Sequence, residues 1–171
     1  EEIDKKDKLL RPGLNVVDLG AAPGGWCQYA RKKLGKKSRL IAVDLLPIEP
    51  IEGVEIIQGD FTEEQVRQQI NDMVDNKAFD LVLSDMAPNI SGIALADQAR
   101  SIGLAEGVLD WSLSVLAVDG GLLMKVFQGS GFDPLRKEIL SNFRSVAVRK
   151  PGASRSRSAE VYLLARGFKG I

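Results

Sequence analysis

Short apolar runs alternate along this chain with longer stretches in which apolar residues recur every three or four positions. That alternation predicts βαβ units. Seven runs read as strands, at 15–19, 39–44, 55–58, 79–84, 122–126, 145–149 and 161–165. Several are apolar almost throughout, as parallel strands covered on both faces must be. Helical spacing predicts helices at 25–34, 63–74, 99–116 and 133–142. Thr62 with Gln65 offers an N-cap and capping-box partner for the second helix. Asp133 followed by Pro134 offers the same service to the fourth. Only the loop 150–159 separates the last two strands, so they are expected to be antiparallel. The expected fold is α/β: one seven-stranded, mostly parallel sheet with a terminal antiparallel strand, spanning 1–171 as a single domain.

Composition narrows the chemistry more than the fold. The 171 residues suffice for a full core. No apolar run reaches the roughly eighteen residues that cross a bilayer, and the start, Glu1-Glu2-Ile3-Asp4-Lys5-Lys6, has no apolar signal segment. The single cysteine, Cys27, excludes an internal disulfide or a cysteine-rich zinc site. The absence of histidine removes the commonest general base and metal ligand together. A cytoplasmic, monomeric protein with no metal and no membrane partner is expected. The formal charge of zero conceals a segregation: residues 44–85 hold 11 acids against Arg67 and Lys77 (−9), and the rest therefore carries +9. One face could attract phosphate while another stays acidic, although charge clusters are also ordinary solvated surface.

In a wound sheet, ligands bind beyond the carboxyl ends of the strands where strand order reverses. The residues expected at those ends are Asp18 and Gly20, then Asp44, Asp60 and Asp85, with Lys125 near the end of the fifth strand. Four carboxylates and an amine on one rim suit a ligand better than packing. Asp18-Leu19-Gly20-Ala21-Ala22-Pro23-Gly24-Gly25-Trp26 is a glycine-rich turn from the first strand into the first helix. It departs from the dinucleotide fingerprint at Ala22 and Pro23, and the proline supplies no amide where a pyrophosphate needs one. No Walker lysine follows. The ligand is expected to be a nucleoside without phosphates, with Asp44 accepting from the ribose hydroxyls and Asp60 from the adenine amino group. A carboxylate-rich rim favours a cation such as the sulfonium of S-adenosylmethionine.

Four segments together resemble one family: 18–26, Ser-Asp-Met-Ala-Pro-Asn at 84–89, Lys-Val-Phe-Gln-Gly at 125–129, and Ser-Arg-Ser-Arg-Ser-Ala-Glu-Val-Tyr at 154–162. They look like the FtsJ/RlmE family, the ribosomal RNA large-subunit ribose methyltransferases, in order over essentially the whole chain. The resemblance implies a Rossmann-like class I methyltransferase fold. It also implies an S-adenosylmethionine site contacted by Gly24, Trp26, Asp44, Asp60 and Asp85. The family carries a Lys-Asp-Lys-Glu tetrad, and Asp85, Lys125 and Glu160 match its last three members. By the same resemblance Lys125 would deprotonate or align a ribose 2′-hydroxyl, Asp85 would orient that amine, and Glu160 would complete the charge network. The first tetrad lysine would fall just before Glu1, so either the chain is a piece of a longer protein, which is the expectation, or the tetrad is incomplete. The resemblance implies as substrate a uridine of 23S ribosomal RNA on the large ribosomal subunit.

Arg149, Lys150, Arg155 and Arg157 are candidates for a basic loop that grips RNA phosphates, the last two above all. Three other readings stay open: a 2′-O-methyltransferase of transfer RNA or an mRNA cap, a non-catalytic ribosome-assembly factor on this fold, and an NAD-dependent oxidoreductase.

Overall fold

Seven strands form one sheet in the order β3-β2-β1-β4-β5-β7-β6, as described by a computed structural model covering residues 1–75, 78–152 and 159–170. The elements are α1 (Glu2–Asp7), β1 (Val16–Leu19), α2 (Gly25–Leu34), β2 (Leu40–Asp44), β3 (Glu55–Gln58), α3 (Glu64–Met73), β4 (Phe79–Ser84), α4 (Ala94–Val115), β5 (Leu116–Phe127), α5 (Phe132–Asn142), β6 (Phe143–Arg149) and β7 (Glu160–Phe168). Strands β1 to β5 pair in parallel, and β7 lies antiparallel between β5 and β6. The expected antiparallel end is present. Strand order reverses between β1 and β4, which places a crevice above their carboxyl ends.

Because side chains alternate across a strand, the central strands feed two separate cores. Val17, Leu19, Ile41, Val82, Leu122 and Met124 pack with α3, α4 and α5 on one face. Val16, Leu40, Ala42, Leu81, Leu83 and Leu123 pack with α1 and α2 on the other. Burial on both sides explains why these strands are apolar throughout.

Helix starts differ from expectation for identifiable reasons. Thr62 does not cap α3: Glu63 is the N-cap residue, without a side-chain bond. Thr62 instead gives both its amide and its hydroxyl to Asp60 Oδ1, at 2.9 and 2.7 Å. Asp133 is not the N-cap of α5 either. Gly131 is, and Asp133 sits in the first turn, where its charge favours the helix dipole. Helix α4 begins at Ala94 rather than 99, because Asp97 accepts from the Ser91 amide and hydroxyl (2.8 and 2.7 Å) and anchors an earlier start. Helix α1 left no periodic signal, since Ile3 is its only buried residue. Among the described residues, no helix is long and apolar enough to cross a membrane.

Candidate active site

Strand register assembles the polar centre. Ser84 pairs with Met124, so Asp85, one residue on, stands beside Lys125. Lys125 pairs in turn with Tyr162. Alternation puts Asp85, Lys125, Tyr162 and, two residues before Tyr162, Glu160 on the same face of the sheet. Lys125 Nζ lies 3.0 Å from Asp85 Oδ1 and 3.6 Å from Glu160 Oε2. Tyr162 donates its hydroxyl to the same Asp85 Oδ1 at 2.7 Å. The Lys125 side chain is only 16% exposed, and its two carboxylate partners hold the amine in place. Burial, and then the hydrogen bond to Asp85, push the Tyr162 phenol well above its ordinary range, which keeps it a donor.

The glycine turn builds a second feature beside this row. Gly20 and Ala21 donate their amides to Val43 O, at 2.8 and 3.1 Å, which ties the turn to the end of β2. Ala22 then donates to Asp44 Oδ2 (2.8 Å) and Leu46 to Asp44 Oδ1 (2.9 Å). Each Asp44 oxygen keeps acceptor capacity for another donor. Gly20 has φ +76°, and a Cβ there would lie 2.9 Å from the Met86 nitrogen, so only glycine allows the turn to pass this close to the end of β4. Asp60 is fixed by Thr62, whose hydroxyl and amide lower its carboxyl below the usual range.

Two cavities meet at Asp85. One, of about 630 Å³, is lined by Gly20, Asp44, Asp60 and Met86 among others, with Arg100 as its cation. The other, of about 960 Å³, is lined by Lys125, Glu160, Tyr162, Trp26, Tyr29 and residues of α1. Asp85 lines both. The smaller cavity offers carboxylate acceptors, and Pro23 at its turn has no amide to give a phosphate. Three carboxylate acceptors, Asp44, Asp60 and Asp85, against the single cation Arg100 fit a phosphate-free nucleoside carrying positive charge. The larger cavity brings an amine to a space wide enough for an acceptor nucleotide.

The sequence-predicted residues distribute over this site unevenly. Asp44, Asp60 and Asp85 line the smaller cavity, and Lys125, Glu160 and Asp85 come together as expected. Trp26 lines the larger cavity instead, its ring 5.8 Å from that of Tyr162. Gly24 lines neither; it is the N-cap of α2, facing Ile48 and Ile51. Asp18 is not on the rim. It is buried inside β1, accepting from Cys27 Sγ at 3.1 Å, while its Oδ1 has no partner. Arg149 belongs to β6 rather than a loop, and its guanidinium is paired with Asp7. Lys150 donates to Glu160 O at 2.8 Å. Arg155 and Arg157 lie outside the described residues. Sequence reasoning missed the role of Tyr162, although its place two residues after Glu160 in a strand already put both on one face.

The model of the FtsJ-like methyltransferases matches residues 1–168. The ribosomal RNA large subunit methyltransferase E of Stutzerimonas stutzeri is 54% identical over 169 residues, covering 99% of this chain and 82% of its own length. Its counterpart from Azoarcus is 57% identical over 163 residues, covering 95% and 80%. Among solved structures, a ribosomal RNA methyltransferase from Plasmodium falciparum superposes with a TM-score of 0.88 at 25% identity, over 99% of this chain and 94% of that one. The fold extends to Aeropyrum pernix fibrillarin, solved with natively bound S-adenosylmethionine (TM-score 0.62, 14% identity, 92% and 68% covered). Sheet order, glycine turn, and a family match running from the first helix to the last strand agree, and the chain belongs to the FtsJ-like methyltransferase family.

Proposed function

We propose that this protein transfers a methyl group from S-adenosylmethionine to the ribose 2′-hydroxyl of a uridine in 23S ribosomal RNA of the large subunit, acting as a cytoplasmic monomer. The observation that carries the reading is the shared wall: Asp85 borders both cavities and holds Lys125 at 3.0 Å on the acceptor side. The names of the relatives, ribosomal RNA large subunit methyltransferase E, support the substrate.

Asp44 would hold the ribose hydroxyls of the cofactor and Asp60 the adenine amino group. Gly24, Trp26 and Asp85 are assigned to it through the family resemblance. When bound, S-adenosylmethionine supplies an electrophilic methyl on a sulfonium. The residues of this chain supply the rest. Lys125 Nζ aligns the acceptor oxygen and favours negative charge on it, which a neutral hydroxyl otherwise lacks as a nucleophile. The proton leaving that oxygen passes into the Asp85–Lys125–Glu160 network, where two carboxylates stand as acceptors. Asp85 sets the position of the amine, and Tyr162 sets the position of Asp85. The Tyr162–Asp85 hydrogen bond and the two ion pairs of Lys125 hold the row in one arrangement, which limits the reorganisation left for the reaction.

The test uses Lys125→Ala with large ribosomal subunits from cells lacking the protein. Methyl transfer should disappear while S-adenosylmethionine affinity stays within a few-fold, on the scale of about 1 kcal/mol. Undiminished turnover would remove Lys125 from the mechanism. Ribose-methylation mapping in the same cells should show one uridine of 23S RNA unmodified, and an intact map would refute the substrate.

A further inference from the structure

The row that forms the site does not end at Tyr162. Arg149 pairs with Tyr162 across β6 and β7, so Asp85, Lys125, Tyr162 and Arg149 run side by side across four adjacent strands. Arg149 turns this last place to a different use. Its Nε and Nη2 donate to Asp7 Oδ2 and Oδ1, each at 2.9 Å, in a two-pronged pair joining positions 142 residues apart. The Asp7 side chain is only 9% exposed. Arg149 holds its carboxyl below the usual range. Arg166 adds a bond from Nη1 to Asp7 O at 2.8 Å.

Asp7 ends α1, and α1 is a wall of the acceptor cavity through Glu2, Ile3, Asp4 and Lys5. A six-residue helix has no stability of its own. This one buries a single apolar side chain, Ile3, which anchors it without fixing its direction. Direction comes from the polar ties. Asp7 is held by Arg149, the Glu2 carboxylate accepts from Gly152 N at 2.7 Å, and Asp4 accepts from Tyr29 OH at 2.8 Å. Of these the Asp7–Arg149 pair is charged on both sides, bidentate and largely out of water, the combination that most restricts geometry.

We propose that Asp7 and Arg149 are positioning residues for the RNA acceptor: their pair holds α1 in place as the wall of the cavity above Lys125. The inference rests on the acceptor reading given under Proposed function. Neither residue belongs to the smaller cavity, so cofactor binding should be indifferent to the pair.

A double-mutant cycle tests this, with Asp7→Asn, Arg149→Met and the two combined. The double variant leaves no buried unpaired charge and so guards against simple misfolding. On large ribosomal subunits each single change should raise KM for RNA about tenfold, with kcat and S-adenosylmethionine affinity within about twofold. The double change should be no worse than either single one, because the pair acts as a unit. Asp7→Glu, which keeps the carboxylate, should lose less than Asp7→Asn. Unchanged KM in folded single variants, or losses that multiply in the double variant, would overturn the proposal. If the wild-type protein itself methylates no subunit RNA, the acceptor reading fails separately. The clamp is then judged by hydrogen exchange: faster exchange of amides 3–10 in Arg149→Met supports it, and unchanged protection overturns it.

Discussion

Asp18 is a carboxylate kept where a carboxylate is costly, and replacing it with asparagine turns that cost into a measurement. The side chain lies in β1 at 1% exposure, and burial raises its pKa from 3.8 to about 7. The Cys27 thiol bond opposes the rise, and the charges of Asp85 and Asp44 add to it. Between pH 3.8 and about 7 the folded protein therefore binds more protons here than the unfolded chain does. Stability falls with rising pH across that window: the penalty is absent below 3.8 and complete above about 7. At about 1.36 kcal/mol per pH unit, the full penalty has a ceiling of about 4 kcal/mol. The part that develops between pH 5 and pH 8 is about 3 kcal/mol. Asparagine has nearly the same shape and does not titrate. Asp18→Asn should therefore gain about 3 kcal/mol relative to wild type on going from pH 5 to pH 8, or roughly 5–10 °C in Tm for a domain of this size. Thermal or urea unfolding of both proteins at the two pH values reads it directly. A difference between variant and wild type that stays constant from pH 5 to pH 8 would mean that Asp18 is ionised throughout, and the reasoning would be wrong.

Three further changes probe the two cavities. Asp44→Asn should weaken S-adenosylmethionine binding by about 1–3 kcal/mol, since one acceptor for the ribose hydroxyls is lost; equal affinity in calorimetry would refute the cradle. Tyr162→Phe removes the 2.7 Å donor to Asp85. A hydrogen bond to a charged group is worth about 1.5–3 kcal/mol, discounted here because Asp85 is partly exposed. A fall in kcat of about tenfold with cofactor affinity kept is expected, and an unchanged kcat would show that Lys125 alone positions Asp85. Gly20→Ala places a methyl 2.9 Å from the Met86 nitrogen at φ +76°, which should cost about 1–3 kcal/mol of stability. Unfolding at the wild-type midpoint would show that the turn can relax.

The two halves of the site ask opposite things of the same sheet. The smaller cavity is built from backbone: amides of the glycine turn are spent on Val43 and Asp44, and Asp44 lines the cavity. The larger cavity is built from side chains aligned by register, where a one-residue slip would turn Lys125 into the opposite core. That sensitivity ties the chemistry to β7, the strand inserted antiparallel between β5 and β6.

Local information sufficed for much of this protein. Seven strands and the longer helices followed from periodicity, because burial on two faces demands apolar runs and burial on one demands the helical stripe. The places of Asp44, Asp60 and Asp85 followed from strand ends, and the grouping of Lys125 with Asp85 and Glu160 from the family motifs. What the chain's linear order did not carry was the choice among partners for groups with several options. Thr62 could cap α3 or bond Asp60, and the turn chose Asp60. Asp18 reads as a rim residue in Asp-Leu-Gly, yet the pleat points it at Cys27. Arg149 reads as a phosphate grip beside Lys150, but Asp7, 142 residues earlier, reaches it first. Tyr162 could have been core or stacking surface until register set it against Asp85. Periodicity reports which face a residue takes. Pairing across that face depends on strands and helices far apart in the chain, and only their packing decides it.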